Sequence, residues 1–263
     1  MTALKELPSR LLSGAANFRA IPALPTENGR HLRAGMIYRS GELSNLTRDD
    51  LACLETLGIK LICDLRSSAE RRRFATAWPA LAPARTIEMP PDSDREAGMN
   101  PLIERLAREP GAEGARLAML DLYAVLPRLL LPILTETFEA IVAGWALPLL
   151  LHCHVGKDRT GVAAGILLRA AGVVQDGVAA DYLETARHLD GAAERRALGR
   201  TLGRLLGRAI DPGTLDMLGG TDPAYLAAAF DAIDRNWGGF DAYLATAGLT
   251  PSRRARLQSL LVA

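Results

Sequence analysis

The sequence predicts an α/β fold with a central, mostly parallel sheet flanked by helices and a helical C-terminal layer. In the first two thirds of the chain, short apolar runs typical of buried strands alternate with helical patterns. Beyond residue 172 the hydrophobic periodicity is helical throughout. No internal repeat, heptad pattern or low-complexity tract interrupts this order. We expect residues 1–263 to form a single domain, since one large α/β domain reaches this length.

The composition argues against several classes of protein. Hydrophobic residues make up 49% of the chain and charged residues 23%, which is ordinary for a globular protein. Lys and Arg total 31 against 30 Asp and Glu, so no global field favours nucleic acid or an anionic membrane. The longest apolar stretch, residues 140–151, contains Gly144 and Pro148 and is shorter than the ~18 residues that span a bilayer. We expect neither a nucleic-acid partner nor an integral membrane segment.

Three cysteines, at positions 53, 63 and 153, form no C-x-x-C pair and no zinc spacing. An odd number of widely spaced cysteines is not typical of a secreted disulfide framework. The first residues lack the basic and apolar regions of a signal peptide. We therefore expect a cytoplasmic protein, with non-classical secretion left open, and the sequence does not indicate an oligomeric state.

The N-terminal part is predicted to contain short strands and one helix. A strand begins at residues 17–19, an Asn-Gly turn follows, and residues 36–39 form a second strand. Thr47 is placed to cap a helix whose leucines recur at helical spacing, and Gly58 is placed to end it.

The middle of the chain is predicted to run from a buried strand into irregular and then helical structure. Residues 59–65 form the strand, a short helix starts at Ser68, and the proline-rich residues 79–100 are irregular. Residues 101–144 are predicted to be helical, with breaks at Gly111, Gly114, Pro127 and Pro132.

Residues 147–152 form the clearest short apolar strand, and a helix over 160–171 follows a short loop. Further helices are predicted over 223–236 and 240–247. The last helix has Pro251 at its first position, after a Thr cap.

The loop between this strand and helix carries the strongest chemical signal, in the run His-Cys-His-Val-Gly-Lys-Asp-Arg-Thr-Gly over 152–161. A loop that enters a helix directs backbone N–H groups inward and forms a concave anion site. Gly156 allows the backbone to approach a ligand closely, and Arg159 can offer two parallel N–H donors to a phosphate. The predicted phosphate-binding residues are His154, Val155, Gly156, Lys157, Asp158 and Arg159.

Cys153 is the predicted nucleophile. Thiols near helix N-termini and cations ionise at neutral pH, so we expect a thiolate that attacks phosphorus and forms a cysteinyl-phosphate. Thr160 is expected to hydrogen-bond that thiolate. We expect no metal or cofactor, because Arg159 and the N–H groups neutralise the phosphate oxygens. A metal site at residues 152–154 is disfavoured, since adjacent strand residues point to opposite faces.

The loop resembles the phosphate-binding loop of the cysteine-dependent protein tyrosine phosphatases. Its Gly-Lys-Asp-Arg-Thr-Gly form is similar to that of bacterial atypical members of the tyrosine, dual-specificity or lipid-phosphatase-like type. Asn17-Phe18-Arg19, Tyr38-Arg39-Ser40 and Asp64-Leu65-Arg66-Ser67 resemble other motifs of the family.

The resemblance spans nearly the whole chain and implies a protein tyrosine phosphatase-like fold. It further implies hydrolysis of phosphotyrosine-type monoesters, extending to phosphoserine, phosphothreonine or phosphoinositides. The expected partner is thus a phosphorylated protein or phospholipid substrate. Lys157, a second cation at the rim, is implied to widen specificity toward multiply phosphorylated substrates.

The general acid has three candidates, because Trp78-Pro79 is followed by Ala where many relatives carry Asp. Asp64 ranks first, since it ends a predicted parallel strand and the resemblance favours it. Asp158 ranks second, inside the loop, where its alternative role is to orient Arg159. Asp92 ranks third, in the proline-rich segment.

Two alternatives to a phosphatase remain open at this point. The loop could bind a phosphorylated ligand with little turnover, which measuring turnover beside binding would reveal. A weaker alternative is a sulfur- or arsenate-handling enzyme, which usually needs a resolving cysteine that Cys53 and Cys63 are not placed to provide. Residues 92–125 precede the catalytic strand and are predicted to form a mobile cover over the site.

Overall fold

The structure is a computed structural model that describes residues 12–91 and 100–263. Within these residues one sheet is formed by β1 (Arg19–Ala20), β2 (Ile37–Ser40), β3 (Leu61–Asp64), β4 (Arg85–Glu88) and β5 (Leu149–His152). The strand order is β1-β2-β5-β3-β4. The pair β1–β2 is antiparallel and the other three pairs are parallel. The predicted α/β fold with a mostly parallel sheet is confirmed.

Helices flank the sheet and form the C-terminal part of the chain. They are α1 (Arg48–Leu57), α2 (Ser68–Arg73), α3 (Asn100–Arg108), α4 (Ala112–Val142), α5 (Asp158–Ala170), α6 (Gln175–His188), α7 (Gly191–Leu206), α8 (Pro212–Gly219), α9 (Pro223–Trp237), α10 (Phe240–Thr246) and α11 (Pro251–Leu261). The expected helical C-terminal layer corresponds to α6 through α11. The site loop leaves the central strand β5 and enters α5.

Local signals placed several helix ends correctly. Thr47 caps α1 in a capping box with Asp50, and Gly58 ends the helix with φ of 64°. Ser67 caps α2 in the same way, with Glu70 as its partner. Each capping box satisfies backbone N–H groups that the helix itself leaves without a partner.

The strand β4 was not predicted, because residues 79–100 were expected to be irregular throughout. Its residues, Arg85–Glu88, are mostly exposed and lie between Pro83 and Pro90. β4 lies at one edge of the sheet and pairs only with β3. An exposed edge strand buries no apolar face, so it lacks the hydrophobic run that indicates a strand.

The helical breaks predicted at Gly114, Pro127 and Pro132 are wrong, since α4 continues through all three for 31 residues. A proline inside a helix costs about 3 kcal/mol or more, so the pair costs roughly 6 kcal/mol. The stretch around them buries seven large apolar side chains: Leu126, Leu129, Leu130, Ile133, Leu134, Phe138 and Ile141. At about 1.5–3 kcal/mol for each, this burial outweighs the proline cost.

α4 is also long and apolar enough, by length and composition, to cross a membrane. Half of its most apolar window is buried inside the protein, as in the core helix of a soluble protein. Its exposed positions include the charged residues Asp121, Arg128 and Glu136. No clear membrane-spanning segment is therefore present in residues 12–91 and 100–263.

The register of the sheet determines where the site lies. Ser40 of β2 and Asp64 of β3 both stand beside His152 of β5. The carboxyl ends of three parallel strands thus meet at one edge, which is where ligands bind in such sheets. Cys153 is the next residue along the chain.

Candidate active site

Cys153 lies at the base of the loop between β5 and α5 and is buried. Its sulfur accepts a hydrogen bond from the Gly156 N–H at 3.2 Å. No described side chain caps the N-terminus of α5, so the first N–H groups of this helix are left for a bound anion. A backbone N–H donor and the start of a helix are thus the groups next to this sulfur in the chain.

Gly156 has no room for a side chain. Its φ is +77°, and a Cβ atom there would lie 2.5 Å from backbone atoms of Ser40 and Gly41. The loop therefore packs directly on the end of β2, and this packing requires glycine at position 156. The close approach to a ligand that the sequence analysis gives as the reason for this glycine stays a prediction.

Arg159 is held by a carboxylate that the sequence interpretation did not include. Its Nη1 donates to Glu70 Oε2 at 2.6 Å and its Nη2 donates to Glu70 Oε1 at 2.8 Å. Nη1 also donates to the Leu65 carbonyl oxygen at 3.0 Å. This bidentate pair fixes the plane of the Arg159 guanidinium.

Glu70 is also the capping residue of α2, where Oε2 accepts from the Ser67 N–H at 2.7 Å. Burial raises the pKa of Glu70, but the hydrogen bonds and charge of Arg159 outweigh it and bring the pKa to about 2. The pair is therefore charged at neutral pH. The signal that could have identified Glu70 is the Ser-x-x-Glu capping pattern after Asp-Leu-Arg.

Asp64 is buried and paired with Arg66. Arg66 Nε donates to Asp64 Oδ1 at 2.8 Å, and Nη2 donates to Oδ2 at 2.6 Å. Burial raises the pKa of Asp64, yet the hydrogen bonds and charge of Arg66, with His152 nearby, leave it lowered. Both oxygens of Asp64 are held by Arg66, so the contacts favour a structural role for Asp64.

Asp158 occupies a different environment at the start of α5. Its side chain is 26% exposed, and its Oδ1 accepts from the Tyr123 hydroxyl at 2.7 Å. The Tyr123 hydroxyl is also 2.7 Å from that of Tyr182, so α4 and α6 meet at this carboxylate. No hydrogen bond to Asp158 Oδ2 occurs among the described residues. Asp158 thus combines a fixed position with access to solvent.

Asp92 lies outside the described residues. The predicted cover over 92–125 is described only from residue 100, as α3 and the first part of α4. Tyr123 brings this segment into contact with the loop through Asp158. Its mobility stays a prediction.

Lys157 is not presented at the rim as expected. Its side chain is buried, and Nζ donates to the carbonyl oxygens of Leu218 at 2.5 Å and Gly220 at 3.0 Å. These carbonyls lie at the C-terminal end of α8, where a helix favours a cation. The amine is held by α8 and also lies 3.5 Å from Asp158 Oδ1, so Lys157 pairs with a loop carboxylate inside the protein and not at the rim.

The remaining loop residues contribute in different ways. Thr160 is completely buried, but its hydroxyl has no hydrogen-bond partner in the described part of the chain, so the expected bond to Cys153 is not formed here. Complete burial lowers the pKa of His152 to about 4, so this residue is neutral at pH 7. The His154 ring packs on Phe74, with centroids 5.0 Å apart. The apolar side chain of Val155 has no donor for a phosphate, so only its backbone N–H could take the predicted phosphate-binding role.

The other two cysteines lie elsewhere. Cys63 is completely buried in β3, 3.2 Å from the Thr137 hydroxyl, and burial raises its pKa to about 12. Cys53 is half-buried on α1. Across residues 12–91 and 100–263, no three His, Cys, Asp or Glu side chains are grouped to hold a metal ion.

Comparison with known proteins identifies the family of the chain. A family model described as tyrosine phosphatase family matches residues 11–263. The triple specificity protein phosphatase PtpB of Mycobacterium tuberculosis is 31% identical over 292 aligned positions, which cover 99% of each chain. A protein of Cupriavidus necator, named as a candidate tyrosine-protein phosphatase, is 32% identical over 237 positions, covering 87% of this chain and 80% of the relative. A tyrosine-protein phosphatase of Nostoc commune is 28% identical over 229 positions, covering 86% of this chain and 74% of the relative. Because the family match includes the Cys153 loop and the segments packed against it, the chain belongs to the tyrosine phosphatase family and is a phosphatase.

Proposed function

We propose that this phosphatase hydrolyses phosphotyrosine-type monoesters through a phosphate ester of Cys153, with further activity on phosphoserine, phosphothreonine and phosphoinositides. The observation that carries the proposal is the Cys153 sulfur beneath the Gly156 N–H, 3.2 Å away, on a loop whose Arg159 is clamped by Glu70. Only a reduced thiol can react in this way, which supports our proposal of a cytoplasmic location.

In the first step, the Cys153 thiolate attacks phosphorus and an S–P bond forms as the ester P–O bond breaks. Arg159 and the inward N–H groups stabilise the charge on the transferred oxygens. The leaving oxygen takes a proton from Asp158. Free alcohol or phenol departs and the phosphate stays on sulfur.

In the second step, water attacks the phosphorus of the cysteinyl-phosphate. Asp158, now ionised, takes a proton from this water, and the S–P bond breaks. Inorganic phosphate leaves, and the Cys153 thiolate is restored. The two steps together consume one water molecule and no other reactant.

We assign the general acid to Asp158 and not to Asp64. Asp158 is within the loop and has an oxygen free of hydrogen bonds from the described residues, whereas both oxygens of Asp64 accept from Arg66. Tyr123 holds the Asp158 carboxylate in place. This assignment reverses the order that the sequence alone favoured.

A substrate panel tests the proposed activity. We expect hydrolysis of an aryl phosphate that vanadate inhibits and EDTA leaves unchanged, together with turnover of phosphotyrosine peptides. Phosphoserine peptides and phosphoinositide micelles test the wider specificity. Binding of these compounds without release of phosphate from any of them would contradict the proposal and favour a binding module.

Asp158→Asn is expected to show an effect that depends on the leaving group. With phenyl phosphate, a poor leaving group, kcat should fall about 10²-fold or more, because the departing oxygen needs a proton. With a dinitrophenyl phosphate, which leaves without help, the first step should be nearly unaffected in a rapid-quench measurement of phenol release.

Asp64→Asn provides the comparison. It disturbs the Arg66 pair, so we expect a lower Tm and similar changes in kcat for both leaving groups. The assignment fails if Asp64→Asn, and not Asp158→Asn, shows the dependence on the leaving group.

A further inference from the structure

The Asn-Phe-Arg segment (residues 17–19) and the Tyr-Arg-Ser segment (residues 38–40) take no part in the catalytic steps. Each of them nevertheless has a side chain that contacts the Cys153 loop. Asn17 Nδ2 donates to the Gly156 carbonyl oxygen at 2.7 Å. Arg39 Nη2 donates to the same oxygen at 2.9 Å. Both donors are buried, and the Arg39 side chain is 0% exposed. A single carbonyl of the loop is therefore held by side chains from two distant segments.

Because the peptide group is planar, holding the Gly156 carbonyl also sets the direction of the next N–H group. In a planar trans peptide, the C=O of one residue and the N–H of the next point in opposite directions. Holding the Gly156 oxygen outward therefore aims the Lys157 N–H toward the concave side of the loop. The next peptide unit toward the N-terminus agrees, since the Gly156 N–H points to the Cys153 sulfur.

A second backbone contact acts in the same sense. The Glu42 N–H donates to the His154 carbonyl oxygen at 2.9 Å, which aims the Val155 N–H inward by the same argument. The Gly41 N–H donates to the Ala16 carbonyl oxygen at 2.8 Å, so the two supporting segments also hold each other.

The supporting side chains are themselves fixed. Arg39 Nη1 donates to Asp181 Oδ2 at 2.6 Å, and Arg19 Nη2 donates to the Asp181 carbonyl oxygen at 2.8 Å. Asn17 Oδ1 accepts from Arg19 Nη1. Asn17 adopts φ of 60°, a conformation that Asn tolerates better than most residues, which aims its amide at the loop.

We infer that Asn17 and Arg39 are positioning residues of the phosphate-binding loop, and that they act by holding the Gly156 carbonyl so that the loop N–H groups face the substrate phosphate. The inference rests on the proposed function, because it assigns the loop to phosphate. It gives a physical role to the Asn-Phe-Arg and Tyr-Arg-Ser segments. Neither residue contacts the reacting atoms.

The sharpest variant is Asn17→Asp, which keeps the size of the side chain and its contact with Arg19. It replaces the donor that faces the Gly156 oxygen by an acceptor oxygen, so the two oxygens repel each other. We expect tungstate, a phosphate analogue that needs no turnover, to bind at least about tenfold more weakly by calorimetry. KM for an aryl phosphate should rise, and alkylation of Cys153 by iodoacetamide at neutral pH should slow.

Arg39→Lys and Arg39→Met are compared because the first keeps the positive charge of Arg39 and the second removes it. Lys retains the charge beside Asp181 but cannot span Asp181 and the Gly156 carbonyl as the guanidinium does. We expect Lys to retain more thermal stability than Met while still losing tungstate affinity at least about tenfold.

Two controls separate positioning from general stability. Asn28→Asp adds the same charge in an exposed turn, where the Asn oxygen accepts from Thr26 and Arg30. Arg254→Met removes a different arginine that binds backbone carbonyls, those of Arg169 and Ala170. Asn28→Asp should change neither Tm nor tungstate affinity. Arg254→Met should lower Tm without changing tungstate affinity.

The inference is overturned if folded Asn17→Asp binds tungstate as the wild type does, or if both Arg39 variants change Tm but not affinity. Failure of the proposed function would look different: the wild-type protein would bind tungstate yet release no phosphate. In that case, weaker tungstate binding by Asn17→Asp would still support the positioning role.

Discussion

Cys153→Ser is expected to lower kcat for an aryl phosphate by about 10⁴-fold or more, the scale seen when an enzyme loses its nucleophile. The serine hydroxyl stays protonated at neutral pH, so the Gly156 N–H and the N-terminus of α5 no longer stabilise an anionic nucleophile. Binding should survive, because the loop N–H groups and Arg159 remain in place. Steady-state kinetics and tungstate calorimetry measure the two effects separately.

Cys53→Ser is the matched control, since Cys53 is half-buried on α1, outside the site loop. We expect it to retain wild-type kcat. Full activity in Cys153→Ser would contradict the cysteinyl-phosphate mechanism. So would a radiolabelled phosphoenzyme that still forms in that variant.

Arg159→Lys should have the second largest effect, a loss of about 10²–10³-fold in kcat. Lysine is a single point charge and cannot both pair with the two Glu70 oxygens and present parallel donors to phosphate. Glu70→Gln should lower kcat less, because the Arg159 guanidinium stays while the hydrogen bonds that orient it become weaker. We expect vanadate inhibition to weaken more in Arg159→Lys than in Glu70→Gln.

Arg116→Lys controls for the loss of a bidentate arginine–glutamate pair. Arg116 pairs with Glu113 near the start of α4, where both side chains are exposed, with donor–acceptor distances of 2.9 and 2.7 Å. Exposed pairs contribute little, so this variant should keep its activity and its Tm. If Arg159→Lys also kept wild-type activity, Arg159 could not be the residue that binds the phosphate.

The loop between β5 and α5 could be identified from the sequence as a candidate site because its candidate residues are close together in the chain. Cys153, Gly156 and Arg159 lie within seven residues, and a strand followed by a helix places them around one point. Helix ends were predictable for the same reason, since the cap of α1 is formed between Thr47 and Asp50. β4 was missed because it buries no apolar face, and the prolines of α4 were misjudged because the burial around them is tertiary.

The sequence by itself determined the fold class and the position of the loop, and it predicts which loop residues meet the phosphate, because each of these depends on neighbours along the chain. Only the tertiary structure decided what orients them. Arg159 and Glu70 are 89 positions apart, and Asn17 and Gly156 are 139 apart. It also separated the two aspartates, pairing Asp64 with Arg66 and leaving Asp158 accessible. The physical reason is that hydrogen-bond partners and burial depend on which segments the sheet brings together, and local patterns do not encode that.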